Sequence, residues 1–526
     1  MCSARRIPLP DVSFSDPTAP KRERELRALA EALLDCAAAA DEVRYADLCI
    51  EEVTKVEYNR LPSGEEIVKP FSAKGALQLR LVGHEGRKLE LSVGLLPFDA
   101  LEERLRYAIA ALALQEPNPD FGLAPVPNKA RVRYGDPAPF DLRSGDLLPL
   151  VEALAREIDG LLAAAAETEA KDHGYELSSE LWAYFQTEEK IIADTEGLYK
   201  TQVLPSTFLS LTTRVRDPAT GRTTEQRERI GEIRALDFFF EPGSERLRGE
   251  HREQLGRSVR KAIALHRGRK LEQDEIDRIT HFVLDSTAMV FVHEAQGHNF
   301  EADIVKEGGS GLVKPSGEPA RDPLGTEVVD LYDGQIRNPD GTFDPDRGFG
   351  THYIDDEGVE VQPVCLVRGG RIVGMLHSRE TAHHFGQAPN GRGFSELGDP
   401  RIPRMTNTYL YPAEGAPWYD TVEELIAEIP FGVYLEGSKG GAVSKDGMAT
   451  SIQYGRLIVD GAFTDDVLLP ANLTVRTVDA LEGVEAFAGP LKCDDPGFCG
   501  KGQTKTVTDG GPVTRIRRTP AITIGW

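Results

Sequence analysis

The chain has 526 residues, 40% hydrophobic and 28% charged, the make-up of a globular protein too long for one compact core. Its 61 Lys and Arg against 85 Asp and Glu leave a formal charge of −24, which repels phosphate backbones and anionic lipid, so neither nucleic acid nor a membrane is an expected partner. No apolar run approaches the roughly 18 residues of a membrane span, and Met1-Cys2-Ser3-Ala4-Arg5-Arg6-Ile7-Pro8 lacks the apolar core of a signal peptide, so a cytoplasmic location is expected.

Residues 1–20 carry Pro8, Pro10, Pro17 and Pro20 without periodicity and read as an extended N-terminal arm. From Lys21 the pattern turns helical, with Leu26, Leu29 and Leu33 on one face. Val43 to Tyr58 reads as a long strand. Leu77, Leu79 and Leu81, then Leu89, Leu91 and Val93, alternate with polar residues around a His84-Glu85-Gly86 corner, the pattern of a hairpin. Asp99 opens a second helix with Glu102 as its capping-box partner. Leu150, Leu154 and Ile158 stripe a third, which runs into an alanine-rich tail. Strands are expected at Glu180–Phe185, Lys190–Ala193, Tyr199–Leu204, Phe208–Val215 and Arg229–Ile233, then a charged helix from Glu245 to Arg267. This mixture predicts an α+β N-terminal domain over 21–275.

Near residue 275 the composition shifts. Glycines become frequent, and short strand runs alternate with turns at Glu327–Leu331, Gln362–Val367, Arg371–Leu376, Phe431–Leu435, Ser451–Val459 and Ala521–Ile524. Arg368-Gly369-Gly370 reads as a tight turn. The expectation is a larger, β-rich antiparallel C-terminal domain over 276–526.

At the head of that domain, an apolar run (Ala288-Met289-Val290-Phe291-Val292) leads into His293-Glu294-Ala295-Gln296-Gly297-His298, followed by Glu301 and Asp303. Two imidazoles with a carboxylate beside them have the chemistry of a zinc site. The spacing, however, is HExxxH. On a straight α-helix, residues i and i+4 lie about 40° apart, but i and i+5 lie about 140° apart. Two ligands to one ion cannot diverge so far, so the helix must bulge or end between them, and Gly297 is the expected point of distortion.

A catalytic zinc takes three protein ligands. The third is open among Glu301, Asp303, His352, His377, His383, His384, Cys493 and Cys499. The six cysteines are scattered rather than framed as disulfides, which leaves a thiolate ligand in play. Cys499 lies in the glycine-flanked segment Gly497-Phe498-Cys499-Gly500-Lys501, where Lys501 favours the thiolate. Glu294 would act as general base toward a water that zinc acidifies. Asp355-Asp356-Glu357-Gly358 reads as a turn between strands before a calcium or magnesium loop. Gly437-Ser438-Lys439-Gly440-Gly441 reads either as a hairpin turn or as a strand edge where a peptide pairs by backbone hydrogen bonds.

These blocks resemble the TldD/PmbA family, in its TldD-like metalloprotease branch. The likeness rests on His293-Glu294-Ala295 with Gly297-His298 and Glu301-Ala302-Asp303, on Ile354-Asp355-Asp356-Glu357-Gly358, on Arg404-Met405-Thr406-Asn407-Thr408-Tyr409, and on Cys499-Gly500-Lys501 with Gln503. Gln296 and Asn299-Phe300 depart from the family pattern. The resemblance implies one zinc per chain held by His293, His298 and Cys499, with Glu294 as catalytic base. It implies hydrolysis of unfolded or extended peptides with loose sequence preference, and a homodimer or a heterodimer with a metal-free paralogue. Gly440, Gly441, His352 and Tyr409 are candidate substrate contacts, and His352, Tyr353 and Tyr409 candidate oxyanion donors. The alternative is a catalytically silent, zinc-containing scaffold that binds peptides as a partner subunit.

Overall fold

The computed structural model describes residues 6–8, 21–95, 97–135 and 148–526. The expected N-terminal arm lies outside these residues apart from Arg6–Pro8, which form a short strand against Arg131–Tyr134.

The first half is built on an eight-stranded sheet. Its centre is four long strands, Val43–Arg60, Glu66–Gly83, Glu176–Asp194 and Tyr199–Arg216, antiparallel where they pair with one another. The pairs of short runs expected at 180–193 and 199–215 are each one continuous strand, because the polar residues between them keep the two-residue alternation. Helices Lys21–Ala38 and Phe98–Ala113 cover one region of the sheet. Leu26, Ala30 and Leu33 of the first and Leu101, Leu105 and Leu112 of the second pack on Leu48, Ile50, Leu77 and Leu79. Helices Leu148–Ala165 and Gly249–His266 cover another, with Leu154, Ile158 and Leu255 against Leu181, Phe185 and Leu211. The capping box expected at Asp99 and Glu102 does not form. The helix begins at Phe98, with Pro97 at its N-cap, so Asp99 already lies inside the first turn.

The second half is a thirteen-stranded sheet, with pairing mostly antiparallel. Val364–Arg368 and Arg371–Ile372 meet across Gly369 and Gly370, whose φ values of 52° and 72° make the expected tight turn. The strand expected over 371–376 is only its first two residues. Gly437–Gly441 is not a hairpin turn. It lies within the strand Phe431–Val443, which pairs with Gly447–Val459 and has a register shift between Ser438 and Gly441. The longest pairing unforeseen in this half is Val484–Gly500 with Thr504–Arg517.

Asp355, Asp356, Glu357 and Gly358 form a buried turn. Asp355 accepts from the backbone of Glu357, Val359 and Gly393, Asp356 pairs with Lys190, and Glu357 pairs with Arg80. Asp356 and Glu357 are thus occupied by cations of the first half, and Asp355 by backbone amides. The turn reading holds.

Candidate metal centre

The approach to the motif is short and mostly buried. His281–Leu284 is inserted in the large sheet, parallel to Phe431–Val443 and antiparallel to Thr504–Arg517. Asp285 then caps a single 3-10 turn by accepting from the Thr287 amide, and the helix Val290–Ala295 follows. Its apolar side, Phe291, Val292 and Ala295, packs in the main core.

The helix stops at Gln296 (φ −117°, ψ −58°), and Gly297–Phe300 continues as a 3-10 turn. This is the break that the i, i+5 spacing demands. It is a helix end rather than a bulge, and it falls on Gln296, one residue before the expected position. Gly297 serves packing instead: a Cβ there would lie 2.0 Å from Met405 Sδ.

Beyond the break, the two rings stand nearly perpendicular with centroids 5.0 Å apart. Cys499 arrives from the end of the Val484–Gly500 strand, and its Sγ lies 3.3 Å from His298 Nε2. One donor atom from each of His293, His298 and Cys499 lies within 4.8 Å of the others. In a tetrahedral zinc shell with bonds of about 2.0–2.3 Å, nitrogen and sulfur ligands sit about 3.3–3.6 Å apart. The donor set and its spacing therefore fit zinc with little movement.

Both imidazoles are oriented by carboxylates. His293 Nδ1 is 2.8 Å from Asp509 Oδ1, and His298 Nδ1 is 2.8 Å from Glu301 Oε2. With each Nδ1 taken, each Nε2 is the nitrogen left to bind a cation, an outer-shell arrangement typical of histidine metal sites. Glu301 is itself held by Lys501 at 3.2 Å. Glu301 thus orients His298 rather than joining the three-atom cluster, and Lys501 acts on Glu301 and Asp303. Burial opposes charge throughout this cluster; the local pairs prevail at His293, His298, Glu301 and Cys499, whereas burial prevails at Glu294 and Asp303 and raises both carboxyls. Burial raises the Cys499 thiol, yet the His293 and His298 charges and hydrogen bonds bring it down to about 5. Burial lowers His298, while Glu301 and Cys499 lift it to about 9. A thiolate beside two oriented imidazoles is a place that holds positive charge.

Glu294 is 9% exposed and lines the same cavity, of about 370 Å³, as His293, His298 and Cys499. Gly440 and Gly441 lie on its wall. Arg229, from the strand Thr223–Glu232 of the first half, also reaches it and pairs with Asp495. Neither Asp509 nor Arg229 stands out in the sequence, since a lone acid or base between strand residues carries no local signature.

The other sequence candidates lie apart from this cluster. His352 lines a second cavity, 3.5 Å from Glu188 and 3.0 Å from Lys505 Nζ. Tyr409 Oη is bound within its own sheet, donating to Gln335 O and accepting from Arg337 N. Tyr353 donates to Asp346. His377 is buried beside Thr381, and His383 and His384 are exposed on the helix Arg379–Phe385. Cys493 packs near Tyr409 and Tyr332, where burial raises its thiol.

Residues 278–519 match a family model described as the PmbA/TldA metallopeptidase C-terminal domain. A protein named metalloprotease from Methanothermobacter thermautotrophicus is 36% identical over 279 residues, 52% of this chain and 56% of its own length. A zinc metalloprotease TldD homolog from Saccharolobus solfataricus is 28% identical over 239 residues, 44% of this chain and 48% of its own. The chain spans about half the length of these curated relatives. TldE from Thermococcus kodakarensis superposes with a TM-score of 0.70 at 16% identity, covering 95% of this chain and all of the other. A Thermotoga maritima protein described as a putative modulator of a DNA gyrase gives 0.67 at 16% identity, with coverage of 95% and 100%. These two structures share the fold. Through residues 278–519, the chain carries the C-terminal domain of the TldD/PmbA family.

Proposed function

We propose that the chain is a zinc-dependent peptidase, with one zinc held by His293, His298 and Cys499, that cleaves unfolded or extended peptides with loose sequence preference. The observation that carries this reading is the convergence of the three donor atoms within 4.8 Å, in a cavity that Glu294 also lines. When bound, zinc supplies Lewis acidity, which polarises a carbonyl and makes water a stronger acid. The rest falls to the chain's own residues. Glu294 takes a proton from the attacking water and passes it to the leaving amine. Asp509 and Glu301 keep the imidazoles in the binding tautomer. Arg229 brings the one Lys or Arg side chain among the described residues lining this cavity, placed to meet the negative charge that develops on the carbonyl oxygen.

Loose specificity follows from the wall opposite Glu294. Past Leu435 the strand Phe431–Val443 loses its parallel neighbour His281–Leu284, while its other side remains paired. Gly440 and Gly441, both exposed, border the cavity. An extended peptide adding there would be gripped by backbone rather than by side chain. The working unit is a dimer, of two such chains or with a metal-free paralogue.

Zinc content and cleavage of an unfolded peptide test the reading together. Wild type should hold about one zinc per chain, and Cys499→Ala should lose most of it. Glu294→Gln should keep zinc and lose roughly 10²–10⁴-fold in kcat. Zinc-loaded wild type that binds unfolded peptides but never cuts them would instead establish the silent scaffold.

A further inference from the structure

The metal cavity does not stand alone. A second cavity, of about 260 Å³, shares Phe498 with it, and Thr506 and Val507, consecutive on one strand, line one cavity each. The second cavity lies where the two sheets meet. Trp182, Tyr184 and Lys190 come from the smaller sheet, and His352, Phe498 and Lys505 from the C-terminal half.

Lys505 is the unusual group in it. The residue is 7% exposed. Its ammonium meets His352 Nδ1 at 3.0 Å, the Thr506 carbonyl and the face of Phe394. Among the described residues no carboxylate comes within 4.0 Å of it. The acids nearby are engaged or neutral. Glu188 lies against Lys190 at 3.4 Å and His352 at 3.5 Å. Glu396 accepts from the Thr504 amide, and burial pushes Glu51 up to about 8. A buried cation without a counter-ion is costly. On the same wall, Trp182 and Phe498 are 5.7 Å apart at their ring centroids with their planes 33° apart, an aromatic face beside the charge.

We infer that this second cavity is a subsite for a carboxylate of the bound peptide, with Lys505 as its counter-ion and the Trp182–Phe498 face receiving the residue that carries it. The inference deepens the peptidase reading and rests on it. A peptide lying over the metal centre and passing Phe498 would deliver either its C-terminal carboxylate or an acidic side chain. Both offer the same chemistry to Lys505. The loose preference of the strand edge would then be overlaid by one charge requirement at a fixed place along the peptide.

Binding of fluorescent peptides to the zinc-loaded full chain, followed by anisotropy, tests this without relying on hydrolysis. One pair of peptides differs only in a C-terminal acid or amide, and a second pair only in an internal Glu or Gln. In at least one pair the acid should bind about tenfold tighter or better, the scale of a charge-assisted hydrogen bond. Lys505→Met should bring that ratio close to one, which separates this subsite from a carboxylate landing on zinc itself. Equal binding within both pairs by wild type overturns the subsite whether or not the variant folds. A ratio that survives in folded Lys505→Met overturns it as well. A wild type that prefers acids yet cleaves nothing would sink the peptidase reading and leave the carboxylate site standing.

Discussion

Gly441 is a glycine because of Glu294. A Cβ on it would lie 2.5 Å from Glu294 Cγ and 3.0 Å from Oε1. Gly441→Ala should therefore displace the carboxylate and lower kcat tenfold or more, since misplacement on the ångström scale costs up to about a hundredfold. Zinc content and melting temperature should change little, because the clash falls on a side chain that can swing away. His377 makes a different point. Burial holds its imidazole down to about 4, below the unfolded value of about 6.5, so it stays neutral when folded. Its contribution is fully present above pH 6.5 and is lost as pH falls through 4, because the unfolded chain takes the proton first. The loss amounts to about 3 kcal/mol. Denaturant melts of His377→Phe across that window should show a flatter pH dependence than wild type; an unchanged slope would place the titration elsewhere. At this scale the sequence disclosed the residues of a local motif. His293, Glu294 and His298 were legible together, and Cys499 became so through its glycine-flanked block and the family likeness. Asp509 and Arg229 were not, since their roles exist only after distant strands have met.

Among the elements, the end of the motif helix was foreseeable by arithmetic, because 140° cannot be bridged by one ion. Its exact place was not, because Gly297 is fixed by a neighbour more than a hundred residues away. Gly297→Ala would drive a methyl into Met405 Sδ. It should cost about 1–3 kcal/mol, as overpacking a core does. Pairing it with Met405→Ala should recover part of that loss in a thermal melt; no recovery would show that Gly297 is needed for its backbone instead. The hairpin of Val484–Gly500 and Thr504–Arg517 was hidden for a related reason. Gly489, Pro490, Pro496 and Gly497 interrupt it, and its register shifts at Val484/Ala486, Ala488/Lys492 and Lys492/Asp495. Each shift breaks the two-residue alternation by which strands are recognised. The strand Phe431–Val443 was legible only to Leu435 for the same reason, since glycines take over where it borders the cavity. Val43–Arg60, with no glycine or proline inside it, was read almost to the residue.

Across the whole molecule, the two halves are joined by buried charge. Asp47, on the smaller sheet, is shared by Arg80 from the same sheet and by Arg379 and Arg401 from the second half. Burial opposes the ionised form, but the three guanidinium groups hold its carboxyl well below the usual range. Asp47→Asn would strand those cations, a loss of about 3–5 kcal/mol. Calorimetry should show a lower and broader transition, as the halves begin to melt separately; a single unshifted peak would mean that apolar contacts alone join them. The sequence could announce two halves by their composition, but not which charges clasp them. Wholeness matters for the metal centre too. Its histidines are made early in the second half, whereas the thiolate and the carboxylate that aims His293 both belong to the hairpin that ends at Arg517. A growing chain that has already exposed His293 and His298 still lacks the third donor and one of the two orienting carboxylates. Under the proposed activity, cleavage of unfolded chains is thus withheld until the chain has itself folded.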